Sequence, residues 1–195
     1  MVGVYAAVLD TCVLYPSLQR DFLLQLAVGG LFRPMWSSAI LEELHECEQE
    51  KLIEQGMTSL RARYAADHLV ATMRRAFDDA EVPDWERYLS TVQLPDPDDH
   101  HVVACAVAGR ADAIVTNNLK DFPADRMPLS VEVVPPALFA LHNVTLDIDQ
   151  AHLAVEAIVA RSGARGRPVR TVDGVLDVLE MRYGMHEAVA HLRVS

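Results

Sequence analysis

Basic residues are scarce in this 195-residue chain: 17 Lys plus Arg stand against 28 Asp plus Glu, a formal charge of −11. That balance excludes a broad cationic face that holds nucleic acid by charge alone, though not a local basic track beside an acidic site. Cysteine is scarce as well. Cys12, Cys47 and Cys105 form neither a CxxC pair nor an even set, which excludes a disulfide framework and fits reduced thiols in a cytoplasmic protein. No apolar run reaches the roughly 18 residues needed to span a bilayer. The N-terminus lacks a basic stretch followed by a small-residue cleavage site. The expectation is a soluble, cytoplasmic protein. Apolar residues are plentiful, at 51%, enough for one domain with a sizeable core, with or without a small appendage.

Short apolar runs alternate with helical patterns. "VGVYAAVL" (Val2 to Leu9) reads as a strand buried on both faces that ends at Asp10. Leu18 to Ala27 has helical spacing and stops at Gly29-Gly30. "LFRPMW" is a strand in which Pro34 favours an edge. Ser37 or Ser38 can cap the helix that contains "AILEELHECEQEKL". A further helix is predicted over Ser59 to Ala80, with Leu60, Tyr64, Leu69, Met73 and Phe77 as its apolar positions. Asp99 to Ala108 is predicted helical, with Gly109 as its left-handed C-terminal residue. "DAIVT" and "SVEVV" are strands, closed by Pro135-Pro136. This alternation favours a parallel sheet covered by helices. Beyond about Leu141 the strands cease, and helices are predicted over Asp149 to Ala160, Thr171 to Tyr183 and His186 to Leu192. The division expected is a domain over 1–141 and a helical extension over 142–195, with the basic connector "RSGARGRPVR" (161–170) inside it.

In an open parallel sheet, ligands bind beyond the carboxyl ends of the strands. Asp10 follows the first strand, and Thr116, Asn117 and Asn118 follow "DAIV". Asp99 opens the helix leading into that strand, and Glu42 or Glu43 lies one turn into the helix after "PMWSS". Clustered carboxylates need a neutralising partner, or one of them must protonate. A hard divalent cation with oxygen ligands supplies it. No His/Cys tetrad is present, which argues against structural zinc. Each residue also has a plainer role. Asp10 could cap the turn after its strand, and Asp99 could be only a helix N-cap. Asp96 and Asp98 suit the "PDPDD" turn, the run of glutamates after Glu42 suits a solvated helix face, and Asn118 suits a turn. His100 and His101 diverge by about 100° on a helix, so they do not form a metal pair by themselves.

Four stretches, in this order, resemble a known family: "VLDTCVL", "SSAILEEL", "LPDPDDHHVVACAVAGRADAIVTNNLKDFP" and "VEVVPP". Over about residues 2 to 140 they are similar to PIN-domain nucleases, and most similar to the VapC-like toxin branch. "TVDGVLDVLE" and "AHLR" resemble the helical C-terminal extension of some members. The resemblance implies a three-layer α/β/α fold with a central parallel sheet of four or five strands. It implies a metal-dependent endoribonuclease acting on single-stranded RNA, the toxin of a VapBC-type toxin-antitoxin pair, with a small antitoxin as partner and a possible homodimer. The family's acids fall on Asp10, Glu43 and Asp99. Its fourth position falls on Asn118, where many members have Asp and where Asp121 lies nearby. By that resemblance Asp10 and Asp99 hold Mg²⁺ (or Mn²⁺), Glu43 holds or deprotonates a water, and Asn118 orients water or phosphate. Thr11 and Thr116 place the ligands. Arg20, Arg33, Lys120, Arg126 and the 161–170 arginines are candidate phosphate contacts.

Other functions fit less well. A phosphatase with an aspartate nucleophile needs a second Asp two residues after the first, and Cys12 stands there. A receiver-type phosphoacceptor leaves the "DPDDHHVVA" helix unexplained. A catalytically degenerate PIN module that binds RNA or a protein partner is the alternative kept open by Asn118.

Overall fold

The computed structural model describes residues 4–164 and 169–194. Four strands, β1 (Ala6–Leu9), β2 (Arg33–Met35), β3 (Ala113–Val115) and β4 (Glu132–Val134), form one sheet in the order β2-β1-β3-β4. β1 and β3 pair in parallel, with Ala7 opposite Ala113, Val8 opposite Ile114 and Leu9 opposite Val115. Every residue of these two central strands is buried. Burial on both faces is why they are unbroken apolar runs rather than alternations. Pro34 sits on the edge strand, as its missing N–H requires. The start of β1 is held by Asp112, whose Oδ2 accepts the Ala6 N–H at 2.8 Å.

Strand order also locates a crevice. From β1 the chain moves to one side to lay down β2, then returns to the other side of β1 for β3. The connections therefore diverge at the carboxyl ends of β1 and β3, the switch point where open α/β sheets bind ligands.

The helices are α1 (Thr11–Leu14), α2 (Ser17–Val28), α3 (Ser38–Glu54), α4 (Ser59–Ala76), α5 (His100–Gly109), α6 (Pro136–Leu146), α7 (Ile148–Ala160), α8 (Val172–Tyr183) and α9 (His186–Val194). Helices flank the sheet and continue into a helical C-terminal region, the α/β class expected. Two compact units are present. One comprises Ala6–Tyr15 and Pro34–Val133 and so holds β1, β3, α1, α3, α4 and α5. In it α5 packs on β1 and β3, and α3 packs along α4. The other gathers, among the described residues, Val4 and Tyr5, Pro16–Arg33 and those from Val134 onward. There α2 packs on α7 and α8, α6 packs on α9, and Phe32 meets Phe139 edge-to-face at 4.7 Å. Arg165 and Arg167 of the basic connector lie outside the described residues.

Two local expectations are corrected. α4 buries Ala62, Ala66, Val70 and Met73, while Leu60 and Tyr64 are 81% and 74% exposed. Small side chains let α3 and α4 approach closely, so the alanine stripe, not the bulkier one, became the buried face. Gly109 is the last residue of α5, and Arg110 takes the left-handed conformation (φ 54°). Gly109 serves close packing instead: a Cβ there would lie 2.0 Å from Met35 Cε and 2.9 Å from Val82 Cγ2. Pro135-Pro136 closes the strand region as expected, since β4 ends at Val134. Pro136 starts α6, where its fixed φ and missing N–H suit the first helical turn.

Gly109→Ala should therefore destabilise the fold by about 1–3 kcal/mol of overpacking, despite the gain in helix propensity. In a Met35→Ala background the cost of the same substitution should shrink. Chemical denaturation of the four members of that cycle measures the coupling, and additive effects would refute the contact.

Candidate active site

Because Leu9 pairs with Val115, the next residues of the two strands, Asp10 and Thr116, emerge side by side at the switch point. The Asp10 N–H donates to the Val115 carbonyl at 3.1 Å, which continues the ladder one residue further. Asp10 is 6% exposed and Thr116 fully buried. Although Asp10 precedes α1, its side chain makes no capping bond to that helix. Its Oδ2 instead accepts from Thr116 Oγ1 at 2.7 Å and from Cys12 Sγ at 3.0 Å. Turn capping therefore does not account for Asp10.

α3 supplies the second carboxylate. Ser37 caps it by accepting the Ile40 N–H at 3.1 Å, which sets the rotation of the helix. Glu43 Oε2 then accepts the Thr11 hydroxyl at 2.6 Å. A hydroxyl has one proton to give, so the longer 3.4 Å approach of Thr11 Oγ1 to the Ile40 carbonyl is subordinate. Glu42 is exposed and lines a different groove, with Asp67, Val70 and Arg74 of α4. The geometry thus separates two glutamates that helical position alone left equivalent.

Asp99 sits at the N-terminus of α5 but makes no side-chain cap either. Asp96 takes the turn role instead, its Oδ1 accepting the Asp98 N–H at 3.0 Å. The Asp99 carboxyl is pushed up to about 6, first by burial and then by the charges of Asp10, Asp96 and Asp121, with His101 acting in the opposite direction. The charges of carboxylates remote in sequence therefore reach Asp99. The two adjacent histidines point to different tasks. His100 Nε2 accepts the Leu94 N–H at 3.2 Å. His101 is 9% exposed, meets Trp85 edge-on at 6.3 Å, and has Nδ1 2.7 Å from the Asp98 carbonyl. A carbonyl only accepts, so Nδ1 carries a hydrogen. His101 Nε2 is buried without a hydrogen-bond partner, 3.5 Å from Glu43 Oε1.

Asn118 donates its backbone N–H to Thr116 Oγ1 at 3.0 Å. Among the described residues its half-buried side chain makes no hydrogen bond. Asp121 is close enough to raise Asp99. Of the phosphate-contact candidates, Lys120 is exposed just after Asn118. Arg126 pairs with Asp125 at 3.5 Å. Arg20 is 6% exposed, which rules out a solvent-facing phosphate contact. Arg33, Arg161 and Arg170 belong to the other unit.

Two participants had escaped the sequence reading. Cys12 was visible only as an unpaired thiol two residues past a strand-end Asp. His101 was visible only as half of a histidine pair, and its approach to Glu43 depends on the packing of α5 near α3. The donor set at the crevice is hard: carboxylate oxygens of Asp10 and Asp99, with an amide carbonyl available at Asn118. Among the described residues no three His, Cys, Asp or Glu side chains form a cage for an ion. Magnesium does not require one, since it binds through one or two carboxylates and keeps several waters. Burial and the neighbouring carboxylate charges disfavour the Asp99 anion, which such a cation would relieve, so these residues fit it.

The shift at Asp99 has a stability consequence of definite sign. Between its ordinary value of 3.8 and about 6 the folded state holds the proton more tightly. The contribution of Asp99 to stability therefore falls as pH rises through that window and stays low above it. In chelator at pH 8, Asp99→Asn should melt higher than the parent, by about 2–4 °C for each kcal/mol relieved. The difference should vanish towards pH 4. Melting curves at both pH values check this, and equal melting temperatures at pH 8 would refute the raised Asp99 carboxyl.

Residues 6–120 match the family model of the PIN domain, a span that includes Asp10, Glu43, Asp99 and Asn118. The chain is also 39% identical over 82 residues to a Mycobacterium tuberculosis protein named "Putative ribonuclease VapC50". That stretch covers 42% of this chain and 47% of the relative, less than half of the relative's length. No solved structure gives a significant match. With most of the sheet and Asp10, Glu43, Asp99 and Asn118 inside the matched span, this chain belongs to the PIN-domain family.

Proposed function

We propose that the chain is a metal-dependent endoribonuclease that hydrolyses phosphodiester bonds of single-stranded RNA. The observation that carries this reading is the placing of Asp10 at the switch point, with Asp99 near enough that the Asp10 charge adds to burial in pushing the Asp99 carboxyl up to about 6. Membership of the PIN-domain family and the likeness to a protein named as a ribonuclease support it. Asp10 and Asp99 hold Mg²⁺ or Mn²⁺. When bound, such an ion polarises the phosphodiester and lowers the pKa of an attacking water.

The rest is the work of the chain's own residues. Glu43, with a side chain 42% exposed, receives the proton of the attacking water. Thr11 holds the Glu43 carboxylate by Oε2, and Oε1, 3.5 Å from His101 Nε2, takes that proton. Thr116 fixes Asp10. Asn118 orients the water or the phosphate through its amide, and Asp121 adds negative charge beside Asp99. Lys120 meets a phosphate of the strand. The products are a 5′-phosphate and a 3′-hydroxyl.

In the cell the chain would act in the cytoplasm as the toxin of a VapBC-type pair, held in check by a small antitoxin, and it would form a homodimer. Among the described residues no helix is long and apolar enough to cross a membrane. Asn118 favours a second reading, a degenerate module that binds RNA without turnover, because an amide brings no charge to the fourth position.

Asp10→Asn and Asp99→Asn should each abolish magnesium-dependent cleavage of a fluorescent single-stranded RNA while retaining the parent's circular dichroism. Glu43→Gln should lower kcat by about 10²–10⁴-fold, the range for loss of a general base. Undiminished cleavage by both aspartate variants would overturn the assignment. RNA binding without cleavage in the parent, at any divalent metal concentration, would support the degenerate module.

A further inference from the structure

Cys12 is treated most simply as a small buried apolar residue, the usual condition of a free cysteine. Its surroundings contradict that. The sulfur is placed among polar atoms: 3.0 Å from Asp10 Oδ2, 3.4 Å from Thr116 Oγ1, and 3.3 Å from the Asn117 N–H, which it accepts. The hydrogens can be assigned one by one. Asn118 donates its N–H to Thr116 Oγ1, and the Thr116 hydroxyl donates its single proton to Asp10 Oδ2, the nearest acceptor at 2.7 Å. The thiol proton then goes to the carboxylate, the better acceptor and the nearer one. Asp10 Oδ2 consequently accepts two hydrogen bonds. Oδ1 accepts none among the described residues, and it is not among the buried unpartnered atoms, so it retains access to solvent.

We propose that Cys12 is a positioning residue for Asp10. Its S–H, together with the Thr116 hydroxyl, locks Oδ2 and presents Oδ1 as the oxygen that binds a divalent cation. This inference rests on the metal-dependent reading above. Cys12 also ties the two strand-end loops together, since Asn117 Nδ2 donates to the Cys12 carbonyl at 3.4 Å.

The test compares the full-length parent with Cys12→Ser, Cys12→Val and Asp10→Asn. Serine keeps one donor and one acceptor, whereas valine keeps the volume and loses both. Mn²⁺ affinity is measured by isothermal titration calorimetry, and RNA cleavage is measured across a series of metal concentrations. Cys12→Val should weaken Mn²⁺ binding by about tenfold, the low end for losing a partner of a metal ligand. The metal concentration for half-maximal cleavage should rise by the same factor, with most of the lost rate recovered at high metal and the KM for RNA little moved. Cys12→Ser should stay within about threefold of the parent, the size of a modest hydrogen-bond change.

Parent-like Mn²⁺ affinity in Cys12→Val, or equal weakening in Cys12→Ser, would overturn the positioning role while leaving the nuclease reading intact, provided Asp10→Asn loses binding. Absence of Mn²⁺ binding in the parent would overturn both. Should Cys12→Val fail to fold, Cys12→Ala gives the same comparison.

Discussion

Like charges confined to one crevice set the terms for the rest of this structure. Asp10 and Asp99 come from distant parts of the chain, and burial, then the charges of Asp10, Asp96 and Asp121, push the Asp99 carboxyl up to about 6. Folding gains nothing from that arrangement. A carboxylate at the N-terminus of a helix would be more stable accepting the free N–H groups of that helix, yet neither Asp10 nor Asp99 caps its helix. The side chains are withheld from the local bonds open to them, and such withholding of polar groups is a common mark of a functional site.

A frame of ordinary hydrogen bonds keeps the carboxylates in place. The β1–β3 register puts Asp10 beside Thr116, and the backbone N–H of Asn118 orients the Thr116 hydroxyl towards it. Thr11, next in the chain after Asp10, reaches Glu43 on α3. One turn of helix thus serves two carboxylates, Asp10 through Cys12 and Glu43 through Thr11. His101 closes the other side, with one ring nitrogen committed to the Asp98 carbonyl and the other left near Glu43. Small donors with few rotamers suit this frame, because they lose little conformational freedom when they are fixed.

Much of this was legible from residues in line. The β1 and β3 runs announced themselves by unbroken apolar composition, and Ser37 by its place before a helix. Asp10 and Asn118 stood out as polar residues just beyond buried strands, and Asp99 as the acid that opens a buried helix. Glu43 was singled out over Glu42 only by resemblance to the family. The face of α4 was misread because apolar bulk outweighed the alanine stripe in the pattern, although the close approach of a second helix favours small residues. Gly109 was misread because a glycine at a helix end has two explanations, a left-handed residue or a tight contact, and only the neighbour decides between them.

The sequence by itself determined the local elements, the sheet's buried strands and the chemical character of the strand ends. Those arise from backbone preferences and from which stretches must leave water, and both act over a few residues at a time. Only the tertiary structure decided that Glu43 rather than Glu42 meets Thr11, that Cys12 gives its hydrogen to Asp10, and that His101 faces Glu43. These choices are made by directional bonds across 32 and 106 residues of chain, as for Thr11 with Glu43 and Thr116 with Asp10. A hydrogen bond is decided by a few tenths of an ångström and the direction of a lone pair, and no periodicity in a linear pattern carries that information.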